Sequence, residues 1–202
     1  MPERRAFADR VVVITGGAGG IGAALGHAFS RGGARVALLD RDRAGLDRVV
    51  AELPMGRAMG VPLDVCDEAA CAAAMDEVCL AWGGIDVLVN NAGISHRSLF
   101  SDTDTSVLRR VMDVNFFGAV HCTAAALASI RARRGLIVAM SSVAGFAPLV
   151  GRTGYCASKH ALHGFFDSLR TELRGDGVAV MMVCPSFIAT QIDARALSGA
   201  GR

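Results

Sequence analysis

Apolar and polar positions along this chain change rhythm in a regular way. An apolar burst, RVVVIT, at residues 10–15 runs through glycines into IGAALGHAFSRGG, whose apolar positions recur at helical spacing. The alternation then repeats: ARVALLD, helical RAGLDRVVAEL, GRAMGVPLD, helical DEAACAAAMDEVCLAWGG, and IDVLVNNAG. A long helical run, TSVLRRVMDVNFFGAVHCTAAALASIRAR, leads to the strand GLIVAMSS. A last helix starts near Tyr155 and reaches ELRG, and VAVMMVCP supplies a sixth strand. The strands are near-continuous apolar runs, which is how strands covered on both faces of a parallel sheet read.

Six strands alternating with helices predict an α/β fold, a doubly wound parallel sheet in three αβα layers of the Rossmann type. Ligands are then expected at the carboxyl ends of the strands. Nothing in the pattern marks a second domain, so residues 1–202 are read as one.

Composition adds little to that fold but narrows the partners. Apolar residues make up 52% of the chain and glycine contributes 24 of its 202 residues, in keeping with a compact protein rich in tight turns. The apolar surplus favours burial between subunits, hence a homodimer or homotetramer. A net charge of +2 without a basic tract argues against nucleic acid. The six cysteines show neither Cys-x-x-Cys pairing nor zinc-finger spacing. They are expected to be free, mostly buried thiols in a reducing cytoplasm, with no metal. Neither a signal peptide nor an apolar run of membrane-spanning length is evident, so a soluble, cytoplasmic protein is expected.

Chemistry concentrates at three places. In VVVITGGAGGIGAAL, Gly16, Gly20 and Gly22 lie between the first strand and the first helix. There they permit a sharp turn and close approach of a pyrophosphate to the helix N-terminus. Asp40 closes the second strand, where a carboxylate accepts hydrogen bonds from the adenosine ribose and repels a 2′-phosphate. Gly19 precedes Gly20 where a cation could have held such a phosphate, which favours NAD over NADP; Arg41 weighs the other way.

The third place is YCASK, which holds the only tyrosine of the chain, Tyr155, four residues before Lys159. That spacing puts both on one helix face. A neighbouring ammonium stabilises phenolate and lowers a phenol pKa that is ordinarily near 10. Ser142 ends the preceding strand region, where its hydroxyl could bond a substrate oxygen. Asn115 lies inside the long helix, an unfavourable place for an asparagine without a task.

In this order the motifs resemble the short-chain dehydrogenase/reductase family, in the branch carrying TGxxxGIG and Tyr-x-x-x-Lys. The matching stretches are TGGAGGIG, Asp40, LDV with Asp64, NNAG at 90–93, VNFFG with Asn115, SS with Ser142, YCASK, and PSFIAT at 185–190. The resemblance implies Tyr155 as general acid/base and Lys159 on the nicotinamide ribose, with Ser142 orienting the carbonyl or carbinol. It also implies that Asn115 holds a water linking Lys159 to solvent. Along the cofactor it implies Gly16, Gly19, Gly20, Ile21 and Gly22 at the pyrophosphate and Asp64 and Val65 at the adenine. Asn91 and Gly93 would lie beside the cofactor, with Ile188 and Thr190 at the carboxamide.

Two departures stand out. Pro185-Ser186 replaces the family's usual Pro-Gly, and the sequence stops twelve residues after Thr190, where family members continue through a substrate-covering helix and a seventh strand.

The expected activity is hydride transfer between NAD and a secondary alcohol or ketone. Alternatives are a non-catalytic NAD-binding sensor or scaffold, and an epimerase or dehydratase with tightly held NAD. Phe146, Pro148, Leu149 and Val150 suggest an apolar substrate body. His96 is expected to be a solvated loop histidine more readily than a substrate contact.

Overall fold

The computed structural model describes residues 7–186, 188, 192 and 196–202. The six predicted strands are present: β1 (Val11–Thr15), β2 (Arg35–Asp40), β3 (Ala58–Pro62), β4 (Val87–Asn90), β5 (Leu136–Met140) and β6 (Ala179–Val183). They form one parallel sheet in the order β3-β2-β1-β4-β5-β6. The order reverses at β1, which lies between β2 and β4, so a crevice opens above the carboxyl ends of β1 and β4.

Successive β1 residues point to opposite faces, and both faces are covered. Val12 and Ile14 join Val36 and Leu38 under the helices α1 (Gly20–Arg31) and α2 (Arg43–Ala51). Val11 and Val13 join Ala37 and Leu39 on the other side. There they meet Cys71 and Met75 of α3 (Glu68–Trp82), Cys122 and Ile130 of α5 (Gly118–Arg133), and Leu162 and Phe166 of α6 (Thr153–Glu172). This is the three-layer arrangement expected from the unbroken apolar strands.

Local chemistry sets the helix ends. Asp42 accepts from the Gly45 N–H at 3.0 Å to start α2, and Asp67 accepts from the Ala70 N–H at 2.9 Å to start α3. Gly83, at φ 78°, stops α3 in the left-handed conformation.

The long helix predicted over residues 105–133 is interrupted. It comprises α4 (Thr105–Met112), one π turn over Asp113–Phe117, and α5. Such a turn inserts a residue between two segments that are each helical, so the spacing within either segment does not reveal it.

Two further expectations need correction. By length and composition the helical stretch Thr105–Arg133 is apolar enough to cross a membrane, with a mean hydropathy of 1.3 over its best window. In the fold its Cys122, Ala126 and Ile130 are buried against α3 and the sheet. The cysteines are free, but only Cys71 and Cys122 are fully buried, and Cys66 is exposed.

Candidate active site

The glycine turn is shaped by close packing. Gly16 and Gly20 have φ of +68° and +54°, the region where a Cβ is strained. A Cβ on Gly22 would fall on the Gly16 carbonyl oxygen, so the first turn of α1 can lie against β1 only with glycine there. A Cβ on Gly19 would meet no atom within 4 Å, so beside the N-terminus of α1 the turn opens onto space. Ile21 anchors the same turn by packing partly into the core beneath α1.

Hydrogen bonds from separate segments close the crevice around this turn. The Thr15 hydroxyl accepts from the backbone N–H groups of Asn91 and Ala92, each at 3.0 Å. The Asn91 amide donates to the Thr15 carbonyl at 2.9 Å and the Gly16 carbonyl at 3.3 Å. The Asp40 carboxylate ends β2 and accepts from Ala18 N–H at 3.1 Å and Asp42 N–H at 3.0 Å. Each of its oxygens thus has one backbone donor and keeps lone pairs for hydroxyl groups. Beyond β3, Asp64 caps the Cys66 N–H at 3.0 Å. The Val65 side chain packs on Gly118, while its carbonyl accepts from His121 Nδ1 at 3.0 Å. These features fit a dinucleotide laid across the carboxyl ends of β1, β2 and β4, with its pyrophosphate at the open turn.

The second half of the site is built on β5 and α6. Ser142 lies two residues beyond β5, and its Oγ accepts from Ala144 N–H at 3.2 Å, leaving its own O–H to donate elsewhere. Ser142, Tyr155, Ser186 and Ile188 line one cleft of about 70 Å³, shared with Ser95 and Arg152. Lys159 is buried beneath it. Its Nζ lies 5.6 Å from the centre of the Tyr155 ring and donates to the Met140 carbonyl at 2.7 Å. Burial lowers the lysine pKa to about 8, against a smaller opposing influence of Cys184.

Asn115 is placed by the π turn. Its Oδ1 accepts from Ile94 N–H at 2.8 Å, and its Nδ2 donates to the Ile94 carbonyl at 3.0 Å and to Ser158 Oγ at 2.9 Å. Ser158 in turn donates to the Tyr155 carbonyl at 2.8 Å. The amide therefore joins the loop after β4 to the helix carrying Tyr155 and Lys159. Gly93 gives it room, since a Cβ there would stand 3.3 Å from Asn115 Oδ1 and 3.7 Å from Lys159 Nζ.

The fold thus brings Asn115, Ser142, Tyr155, Lys159, Gly93 and Ile188 to one end of the crevice. Gly16, Gly19, Gly20, Gly22, Asn91 and Asp40 lie toward the other, with Asp64 and Val65 on the loop beyond β3. Thr190 lies outside the described residues. Ser158 and Met140 escaped the sequence reading; a serine inside YCASK, beside the lysine, was the available signal for the first, and a backbone acceptor leaves none.

His96 contradicts its expectation. It is fully buried, and its Nε2 accepts from Gly154 N–H at 2.9 Å. Of the loop residues proposed to meet an apolar substrate, Leu149 lines the cleft, whereas Val150 faces outward and is 91% exposed. Among the described residues no cluster of three metal-ligating side chains occurs.

A doubly wound parallel sheet with a glycine turn beside its switch point is the architecture of dinucleotide-binding proteins, and comparison with known proteins specifies the family. The short chain dehydrogenase profile matches residues 10–200, and the chain belongs to that family. It is 40% identical over 202 residues to dehydrogenase/reductase SDR family member 7B of Bos taurus, covering 96% of this chain and 62% of that protein. Meso-2,3-butanediol dehydrogenase of Serratia marcescens is 39% identical over 186 residues, covering 92% of this chain and 74% of that protein. Among solved structures, a short chain dehydrogenase/reductase from Burkholderia phymatum in complex with NAD superposes with a TM-score of 0.90 at 30% identity. That superposition covers 94% of this chain and 70% of the other. The chain spans a little over three fifths of the length of the member 7B relative from Bos taurus.

Proposed function

We propose that this chain is an NAD-dependent oxidoreductase that interconverts a secondary alcohol and its ketone, with Tyr155 as the general acid/base. The observation that carries the reading is the shared cleft of Ser142 and Tyr155, with the Lys159 amine buried 5.6 Å from the phenol ring.

The turn from Gly16 to Gly22 would hold the pyrophosphate of NAD, and Asp40 the hydroxyls of its adenosine ribose. Asp64 and Val65 would shape the adenine end, while Asn91 and Gly93 flank the path to the nicotinamide. Lys159 would reach the second ribose. Bound NAD supplies the acceptor, or NADH the donor, of the carbinol hydride.

The rest is done by side chains of the protein. The Ser142 hydroxyl donates to the substrate oxygen and fixes its direction. Tyr155 takes the hydroxyl proton during oxidation and returns it during reduction. Protonated Lys159 favours the phenolate that this exchange requires. Asn115 holds the loop and helix at the spacing these contacts need. Leu149, Val143 and Ile188 give the cleft an apolar side, in keeping with an apolar substrate body.

The test follows NADH absorbance with a panel of secondary alcohols and ketones. Turnover by the wild type, with a loss of at least a thousandfold in Tyr155→Phe and NAD binding retained, is the expected result. NAD binding without turnover of any substrate by the wild type would instead favour a sensor.

A further inference from the structure

His96 occupies a position that the hydride-transfer scheme does not use. It lies in the loop after β4, 58 residues before its partner Gly154, and is fully buried. Its backbone is pinned from both sides: residue 96 bridges in parallel to Leu197, Arg97 N–H donates to the Leu197 carbonyl and Leu197 N–H donates to the Ser95 carbonyl, each at 2.9 Å.

What the ring does is fixed by hydrogen-bond direction. Gly154 lies in the first turn of α6, where backbone N–H groups have no carbonyl partner within the helix. The N-cap residue Arg152 supplies no side-chain cap, and the first intrahelical bond is from Cys156 N–H to the Arg152 carbonyl. His96 Nε2 fills that role for Gly154, so this nitrogen must carry a lone pair.

The proton then sits on Nδ1, which faces Ser98 Oγ at 3.3 Å. The chain continues in one direction only. Thr103 Oγ1 donates to the Leu99 carbonyl at 2.6 Å, so across its 2.7 Å contact with Ser98 it accepts. Ser98 therefore spends its own proton on Thr103 and accepts from His96. The relay leaves a single consistent state, neutral imidazole with Nδ1–H.

We infer that His96 is a positioning residue for Tyr155, a neutral imidazole that caps the amino end of α6 from another segment and fixes where the phenol stands in the cleft. This rests on the acid/base role proposed for Tyr155, the residue next to Gly154. Protonation would set an N–H against an N–H and add charge at the positive end of a helix. Arg152, in the turn before α6, also acts against it, while Ser98 and Thr103 on the opposite side are uncharged. Burial first and Arg152 second hold the His96 pKa below the ordinary histidine value, in agreement with the relay. Gly154 admits the ring, since a Cβ there would stand 3.2 Å from His96 Nε2 and 2.8 Å from Leu108 Cδ2.

Two measurements on the full chain test this, and neither needs turnover. Long-range proton–nitrogen correlation of the histidine rings, with His96 identified by its disappearance in His96→Gln, should show a neutral Nδ1–H tautomer at pH 7. The opposite tautomer or an imidazolium would overturn the inference. Because the chain has one tyrosine, ring-labelled protein gives a single phenol resonance. Its titration should shift by half a pH unit or more in His96→Ala and return toward wild type in His96→Gln, whose Oε1 can accept the Gly154 N–H.

With an active substrate, kcat should fall tenfold or more in His96→Ala, with NAD affinity within twofold of wild type and most of the loss recovered in His96→Gln. Equal behaviour of the two variants would sink the idea. If no substrate is turned over, the acid/base reading fails, while tautomer and titration still decide the capping. If His96→Ala does not fold, the wild-type tautomer and His96→Gln remain decisive.

Discussion

Lys159 Nζ donates to the carbonyl oxygen of Met140 at 2.7 Å, tying the last residue of β5 to the middle of α6. The bond holds the amine under the Tyr155 ring, in a place where water does not compensate its charge. Burial lowers its pKa to about 8 from an ordinary 10.5.

The sign of that shift makes Lys159 a liability for stability. Between about pH 8 and 10.5 the unfolded chain holds more protons on this lysine than the folded one, so stability rises with pH across that window. Below pH 8 the full cost of burying the ammonium is present. Lys159→Met is therefore expected to stabilise the cofactor-free protein at pH 7 by on the order of 2 kcal/mol, after allowance for the lost bond to Met140. The gain should shrink above pH 8 and activity should be lost. Urea unfolding at pH 7 and pH 10 checks this; a loss of stability at pH 7 would contradict it.

Gly22→Ala sets a methyl group against the Gly16 carbonyl. The first turn of α1 must move away from β1, at a cost of about 1–3 kcal/mol. NAD binding should become undetectable in a fluorescence titration that saturates the wild type, although the variant remains folded.

Asp40→Asn removes the charge at the end of β2. Hydrogen bonds to a charged acceptor contribute roughly 1.5–3 kcal/mol, so NAD affinity should fall about tenfold or more. NADP should lose less, because the repulsion of a 2′-phosphate disappears too. Parallel calorimetric titrations with the two dinucleotides measure the ratio; an unchanged ratio would remove Asp40 from its role.

Asn115→Ala leaves the N–H and carbonyl of Ile94 without their side-chain partner and frees Ser158. Stability should drop by about 1–3 kcal/mol, as for buried groups left unsatisfied. Thermal unfolding measures the drop, and amide exchange should rise at Ile94 before it rises in β1.

Much of this was legible in the chain itself. Strands such as VVVIT and VLVN, apolar throughout, announce burial on both faces, and Asp40 and Tyr155 stand at the strand end and helix start that their positions predicted. The π turn was hidden because the segments on either side of Asp113–Phe117 are each helical, and spacing within them does not show the extra residue between. His96 was misread for another reason. A histidine next to Ser95, Arg97 and Ser98 has the local composition of a solvated loop, whereas in the fold it is buried and meets the distant Gly154 and Leu197. Pairings between distant segments leave no trace in local spacing.

The bonds from Thr15 to Asn91 and Ala92 span 76 and 77 residues. Closing a loop of that length costs chain entropy before the contact offsets it, and nothing within the glycine motif itself supplies the partner. A fragment ending before β4 would carry the complete glycine motif and still lack the wall that faces it. For this chain the fingerprint alone is not the binding site, because the facing wall is supplied by Asn91 and Ala92, far along the sequence.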